Sequence, residues 1–158
     1  MEKRPASNQA SRFEGLSYGG FFLGQNIIYI IQYQYLLYFY TEYVGLTIES
    51  TATMMLIARL WDALNDPIMG ALVDRLNLKG GKYLPWLKFA TYFLPLSLLL
   101  VFVNIDASYS LKLVYAYATF LFWDMIYTVS DAPLFLLSTA MTSNIFERDK
   151  LLSYGRFA

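Results

Sequence analysis

The chain has 158 residues, 57% hydrophobic and 18% aromatic, with equal numbers of acidic and basic residues and a formal net charge of zero. A soluble domain of this length rarely spends so much on apolar side chains, so the composition points to a membrane protein. With no Cys and no His, a disulfide framework, thiol chemistry, a zinc–thiolate site and an imidazole base are all excluded.

Residues 1–17 form a polar lead-in with Lys3, Arg4 and Arg12 and lack the apolar core of a cleavable signal peptide. The first span is predicted over 18–40, long enough to cross about 30 Å of hydrocarbon. It is unusually polar: Gln25, Asn26, Tyr29, Gln32 and Tyr33 fall on one helical face, a stripe expected to face the bundle interior or water rather than lipid. A short acidic loop, Thr41–Ser50, precedes the second span over 51–73. Pro67 interrupts that span one residue after Asp66, freeing a carbonyl one turn upstream that can face a cation.

Asp74–Leu84 is a basic, Gly-rich loop. The third span, 85–103, opens on Pro85 and Trp86 and has no charge after Lys88, so it is expected to face lipid. A polar loop, Asn104–Lys112, leads to the fourth span over 113–137, where Asp124, Thr128 and Asp131 share a face and Pro133 follows. Thr142–Lys150 is charged, and a fifth span begins near Leu151. The fold class is therefore all-α, a polytopic membrane helical bundle. Lys and Arg concentrate in the N-terminal segment, the 2–3 loop and the segment after span four, whereas the two opposite loops hold only Lys112. This bias predicts a cytoplasmic N-terminus in a plasma (inner) membrane.

The most informative stretch is Arg59–Gly70, RLWDALNDPIMG. Each ionised group at mid-bilayer costs roughly 2.5–3.5 kcal/mol on insertion scales, so Asp62, Asp66, Asp124 and Asp131 together cost about 10–14 kcal/mol. A single intramembrane arginine, Arg59, cannot neutralise them all, although a purely structural Arg–Asp bridge between helices is the bland alternative. The set persists if it is paired, protonated or bound to a cation. Hard cations prefer carboxylate, carbonyl and hydroxyl oxygens, and Asp62, Asn65, Asp66 and Thr128 supply them. Protonation competes, because two carboxylates sharing a site push one pKa up. Thr128 alone could equally be a helix–helix hydrogen bond.

Five segments, Tyr35–Leu46 (YLLYFYTEYVGL), Arg59–Gly70, Gly81–Trp86 (GKYLPW), Tyr127–Pro133 (YTVSDAP) and Arg156–Ala158, occur in the order seen in the glycoside–pentoside–hexuronide:cation symporters. This is the melibiose permease group of the major facilitator superfamily, and the chain resembles its N-terminal part. Gly70, Asp74 and Arg75 also resemble the superfamily's 2–3 loop motif. The resemblance implies a fold of twelve spans in two six-helix halves, of which residues 1–158 supply four spans and the start of a fifth; the chain is expected to be a fragment. It further implies a coupling cation, Na⁺ or H⁺, on Asp62, Asn65, Asp66 and Thr128, with Asp62 and Asp66 as the metal ligands if the ion is Na⁺. Sugar contacts are implied at Asp131 and Arg156, with Tyr127 near the ring. Asn26 stands in place of a helix-one acid, Phe135 in place of a tryptophan, and Asp124 where a glycine is expected, departures that put a galactoside substrate in doubt.

The reading is a cation-coupled sugar or glycoside symporter working with the lipid bilayer and with the remainder of the twelve-helix protein. It is not an enzyme and needs no cofactor or nucleic acid. Three alternatives remain at this point: a lipid or amphiphile carrier on the same scaffold, a non-transporting four-helix membrane subunit, and an intramembrane aspartyl protease. The polar, tyrosine-lined first helix favours a sugar over a lipid tail, and the protease's Tyr-Asp and Gly-x-Gly-Asp motifs are missing.

Overall fold

The structure, a computed structural model, describes residues 12–76 and 78–141, with side chains over 13–76 and 78–137. Four helices follow in chain order: α1 (Arg12–Tyr38), α2 (Ile48–Arg75), α3 (Leu84–Val101) and α4 (Tyr109–Met141), with a π-helical segment, Phe39–Val44, prolonging α1. A helix occupies each predicted span, but the ends shift. α2 starts three residues early because Thr47 caps it, its side chain accepting from the Ser50 amide at 3.2 Å. It also continues through Asp74 and Arg75, which the sequence reading assigns to a loop; Arg75 in the last turn suits the helix dipole. α4 begins at Tyr109 and takes Lys112 into its first turn. The fifth span expected from Leu151 lies outside the described residues.

By length and composition alone, α3 and the Tyr109–Leu137 part of α4 are the described helices able to cross a membrane. α1 and α2, of 27 and 28 residues, are long enough at about 1.5 Å per residue. They fail on composition because they carry the polar stripe and the intramembrane charges.

Between helices in lipid there is little hydrophobic driving force, so close approach and interhelical hydrogen bonds decide the packing. α4 is the central strut, packed on both α3 and α2. The buried residues of α3 are Leu87, Ala90, Leu94, Ser97 and Val101, a three–four spacing that makes one stripe. Its opposite face exposes Phe89, Tyr92, Phe93, Leu96 and Leu99. α2 buries Thr51, Met54, Ala58, Asn65, Met69 and Val73. Small residues on these stripes (Ala58, Ala90, Ser97 and Ala116 of α4) let the backbones approach. The larger core cluster gathers Leu36, Tyr40, Met54, Leu94, Phe120 and Trp123 among others; a smaller one joins Tyr18, Leu87 and Leu134.

Two loops at one end are fastened to each other. The π-helical segment closes on Gly45 at φ 79°, a left-handed conformation that suits glycine. Lys112 Nζ donates to the Val44 carbonyl at 3.0 Å, Asn104 Nδ2 to the Tyr43 carbonyl at 2.9 Å, and the Tyr109 hydroxyl lies 2.9 Å from Ser50 Oγ. At the other end the α2–α3 loop turns through Gly80 and Gly81, both at positive φ, and is held by Lys82 on Asp74 at 2.8 Å.

Candidate functional site

The α2–α4 contact brings the acidic residues together. Asn65 lies on the packed stripe of α2 and is 4% exposed, while Asp62 and Asp66 border it on either side. From α4, Thr128 Oγ1 donates to Asp66 Oδ1 at 3.4 Å and to the Asp124 carbonyl of its own helix at 3.2 Å. The Asp124 carboxyl sits beside Asp62 and Asp66. Three of the four residues expected at a cation site, Asp66, Asn65 and Thr128, thus meet at this seam, with Asp62 one turn away. Pro67 has no N–H to give the Ala63 carbonyl, so that oxygen is free of its usual helical partner.

Arg59 does not close the site. Its guanidinium lies 3.8 Å from Asp62, three residues on along the same helix, and its side chain is 63% exposed. It also rests against Tyr29 and Tyr33 of α1. Such a half-exposed, same-helix pair is worth little and bridges no two helices, so the structural Arg–Asp lock does not describe this arrangement. Among the described residues no group of three or more Asp, Glu, His or Cys is arranged to hold a metal ion by such side chains alone. A site here needs neutral oxygens beside its carboxylates.

The second cluster joins α1 to α4. Gln25, 4% exposed, donates through Nε2 to Asp131 Oδ1 and to Ser130 Oγ, each at 3.1 Å. Tyr127 is sandwiched between Trp123 of its own helix and Tyr29 of α1, with ring centroids 5.4 Å away in both cases. Tyr33 stacks on Tyr29 in turn at 6.0 Å. The result is an aromatic ladder running from the core to Arg59. Phe135, half exposed, meets Phe22 edge to face.

Two expected substrate residues stand apart from this. Asn26 Nδ2 donates to the Phe22 carbonyl of its own helix at 2.8 Å, so one of its two amide N–H groups is engaged along α1. Arg156 lies outside the described residues. Sequence reasoning placed Gln25 in the polar stripe but not in the site. The signal available was its register, three and seven residues from the interior-facing Ile28 and Gln32, against Asn26, which is displaced by one position and ends up only half buried.

The family model for MFS/sugar transport proteins matches residues 17–158. An uncharacterized symporter of Bacillus subtilis is 37% identical over 134 residues, covering 85% of this chain and 29% of its own length. A glucuronide carrier protein homolog of Escherichia coli is 35% identical over 136 residues, with 84% of this chain and 30% of the relative covered. An isoprimeverose transporter of Lactiplantibacillus pentosus is 32% identical over 133 residues, with 84% and 28% covered. The chain spans less than a third of the length of each of these relatives. Their names describe transporters rather than proteases, which removes the enzyme alternative.

Proposed function

Because the chain belongs to the MFS/sugar transport family, an integral-membrane family, we propose that it forms the N-terminal part of a secondary transporter carrying a sugar or glycoside together with a cation. The observation that carries this reading is the α2–α4 seam, where Thr128 reaches Asp66 beside the buried Asn65. Asp62 and Asp66 hold Na⁺ or H⁺, and Asn65 and Thr128 add neutral groups. The sugar contacts Asp131, Tyr127, Phe135 and Arg156, with Asn26 contributing its carbonyl oxygen and the amide N–H not engaged by Phe22. The N-terminus is cytoplasmic, as the Lys/Arg bias of the loops indicates.

A cation between α2 and α4 relieves repulsion between the carboxylates and draws the helices together one turn from Asp131. Cation and sugar therefore bind with positive, reciprocal coupling. The test is sugar binding by the intact protein against Na⁺ concentration at two pH values. Asp62→Asn and Asp66→Asn should remove the Na⁺ stimulation and leave weak, cation-independent binding. Unaltered Na⁺ dependence in both variants would sink the cation assignment.

A further inference from the structure

The α2–α3 connection carries basic residues that neither the cation seam nor the sugar cluster uses. It is an ordered turn: Leu78 and Gly81 pair across it, the Gly81 amide donating to the Leu78 carbonyl at 3.2 Å. Lys79 stands exposed at its tip. A Cβ on Gly80 would lie 3.8 Å from Pro85 Cγ, so the turn is seated on the first turn of α3. Lys88 follows Pro85 by three residues, on the same face of that helix, and is exposed as well. Lys82 is already paired with Asp74 at 2.8 Å. Lys79 and Lys88 have no carboxylate partner among the described residues. Two uncompensated ammonium groups therefore border the contact between Gly80 and Pro85.

The surface that continues from Lys88 along α3 is apolar. Tyr92, Leu96 and Leu99 follow it at spacings of four, four and three, and all three are exposed on one stripe. At 1.5 Å per residue, Lys88 to Leu99 rises about 16 Å. One leaflet, half of a hydrocarbon core of about 30 Å, is about 15 Å deep. Trp86, half-buried in the first turn of α3, is an aromatic of the kind that sits at headgroup level. The stripe is thus cationic at the membrane surface and apolar for the depth of one leaflet.

We propose that Lys79 and Lys88 bind the phosphate of an anionic phospholipid whose acyl chain runs along Tyr92, Leu96 and Leu99. Charge complementarity selects this occupant, because basic side chains at the membrane surface attract lipids of net negative charge. A neighbouring protein span could cover the apolar stripe but would leave the two lysines without a counter-charge. Free phosphate would answer the lysines and leave the stripe unused. The bound lipid ties the α2–α3 turn to α3, so it stabilises that end of the bundle by mass action when anionic lipid is present. The inference uses the membrane insertion of α3 and is independent of the cation and sugar readings.

The test is native mass spectrometry of the intact protein in micelles, titrated with phosphatidylglycerol and with phosphatidylcholine of the same acyl chains. Phosphatidylglycerol should be retained more tightly. Lys79→Gln and Lys88→Gln should each weaken it about fivefold and hardly alter phosphatidylcholine. The double Gln variant should bind the two lipids alike, whereas Lys79→Arg combined with Lys88→Arg should keep the preference. Equal affinity for both lipids in the native protein overturns the proposal, and so does a preference that survives the double Gln variant. Loss of the preference in the double Arg variant also overturns it, by assigning the effect to packing rather than charge. Inorganic phosphate at millimolar concentration should not displace phosphatidylglycerol; displacement would make the turn a free-phosphate site instead.

Discussion

Thr128 Oγ1 donates to Asp66 Oδ1 at 3.4 Å across the α2–α4 contact, joining residues 62 positions apart in the chain. Asp66 is exposed on the polar face of α2, whereas Thr128 is buried. The bond therefore connects a solvated carboxylate to the packed interior. On the proposed function, a cation arriving at Asp66 would meet the Thr128 hydroxyl already in place.

Thr128→Ala removes that oxygen without adding a charge. A hydrogen-bonding partner lost from a charged group costs about 1.5–3 kcal/mol, so Na⁺ affinity in the intact protein should fall by about one to two orders of magnitude, by the usual conversion of about 1.4 kcal/mol per tenfold. H⁺-driven uptake should change less, because a proton needs only a carboxylate. Thr128→Ser, which keeps the hydroxyl, should restore Na⁺ dependence; equal losses in the two variants would make Thr128 a packing residue.

Asp131 and Gln25 give a second expectation. Asp131→Ala should abolish sugar binding, and Arg156→Ala likewise, because a site built on polar contacts suffers when one partner is left unpaired. Gln25→Ala should weaken binding by about 1–3 kcal/mol through loss of the orientation of Asp131. Gln25→Glu places a second acid against Asp131, and its binding should recover as pH falls and one of the pair takes a proton. Isothermal titration with a panel of sugars checks all four. Asn26→Asp should move specificity towards galactosides only if the new carboxylate gives up the contact with the Phe22 carbonyl.

Lys112, in the first turn of α4, and Lys82, in the α2–α3 loop, should behave differently. Lys112 donates to the Val44 carbonyl from a part-buried position at the C-terminal end of the α1 extension, where a cation also suits the helix dipole. Lys112→Met should lower thermal stability by about 1.5–3 kcal/mol. Lys82 pairs with Asp74 in the open, and Lys82→Met should change stability hardly at all. The Asp74 hydrogen bond holds the Lys82 pKa above its ordinary value of 10.5. A raised pKa means that the pair's contribution is complete below that value and is lost only as pH rises beyond it. Thermal melts from neutral to mildly alkaline pH should therefore show no slope that Lys82→Met removes.

Orientation can be read with single cysteines, since the chain has none of its own. Glu49, in the first turn of α2, and Lys79, in the α2–α3 connection, are both exposed. A cysteine at Glu49 should react with an impermeant maleimide in intact cells, and one at Lys79 only after permeabilisation. The reverse pattern would invert the topology.

The all-α class, the four helices and the acidic character of α2 and α4 were legible in the sequence. Each follows from local rules: apolar length, helical period, and the cost of charge in hydrocarbon. Asp62 and Asp66 lie one turn apart on any helix, whatever it packs against. What a periodic pattern cannot supply is the register of one helix against its neighbour. Sliding α1 by one residue would bring Asn26 rather than Gln25 to Asp131, and both are amides in the same polar stripe. The register in the structure is the one in which Gln25 reaches Ser130 and Asp131 while Tyr18 reaches the Leu134 carbonyl. The same holds for Asp124, whose position beside Asp62 comes from the α2–α4 crossing. Residue spacing along α4 groups it only with Thr128 and Asp131. Chemistry carried within one helix is written in its own spacing; chemistry shared between helices depends on interhelical close packing, which only the tertiary structure decides.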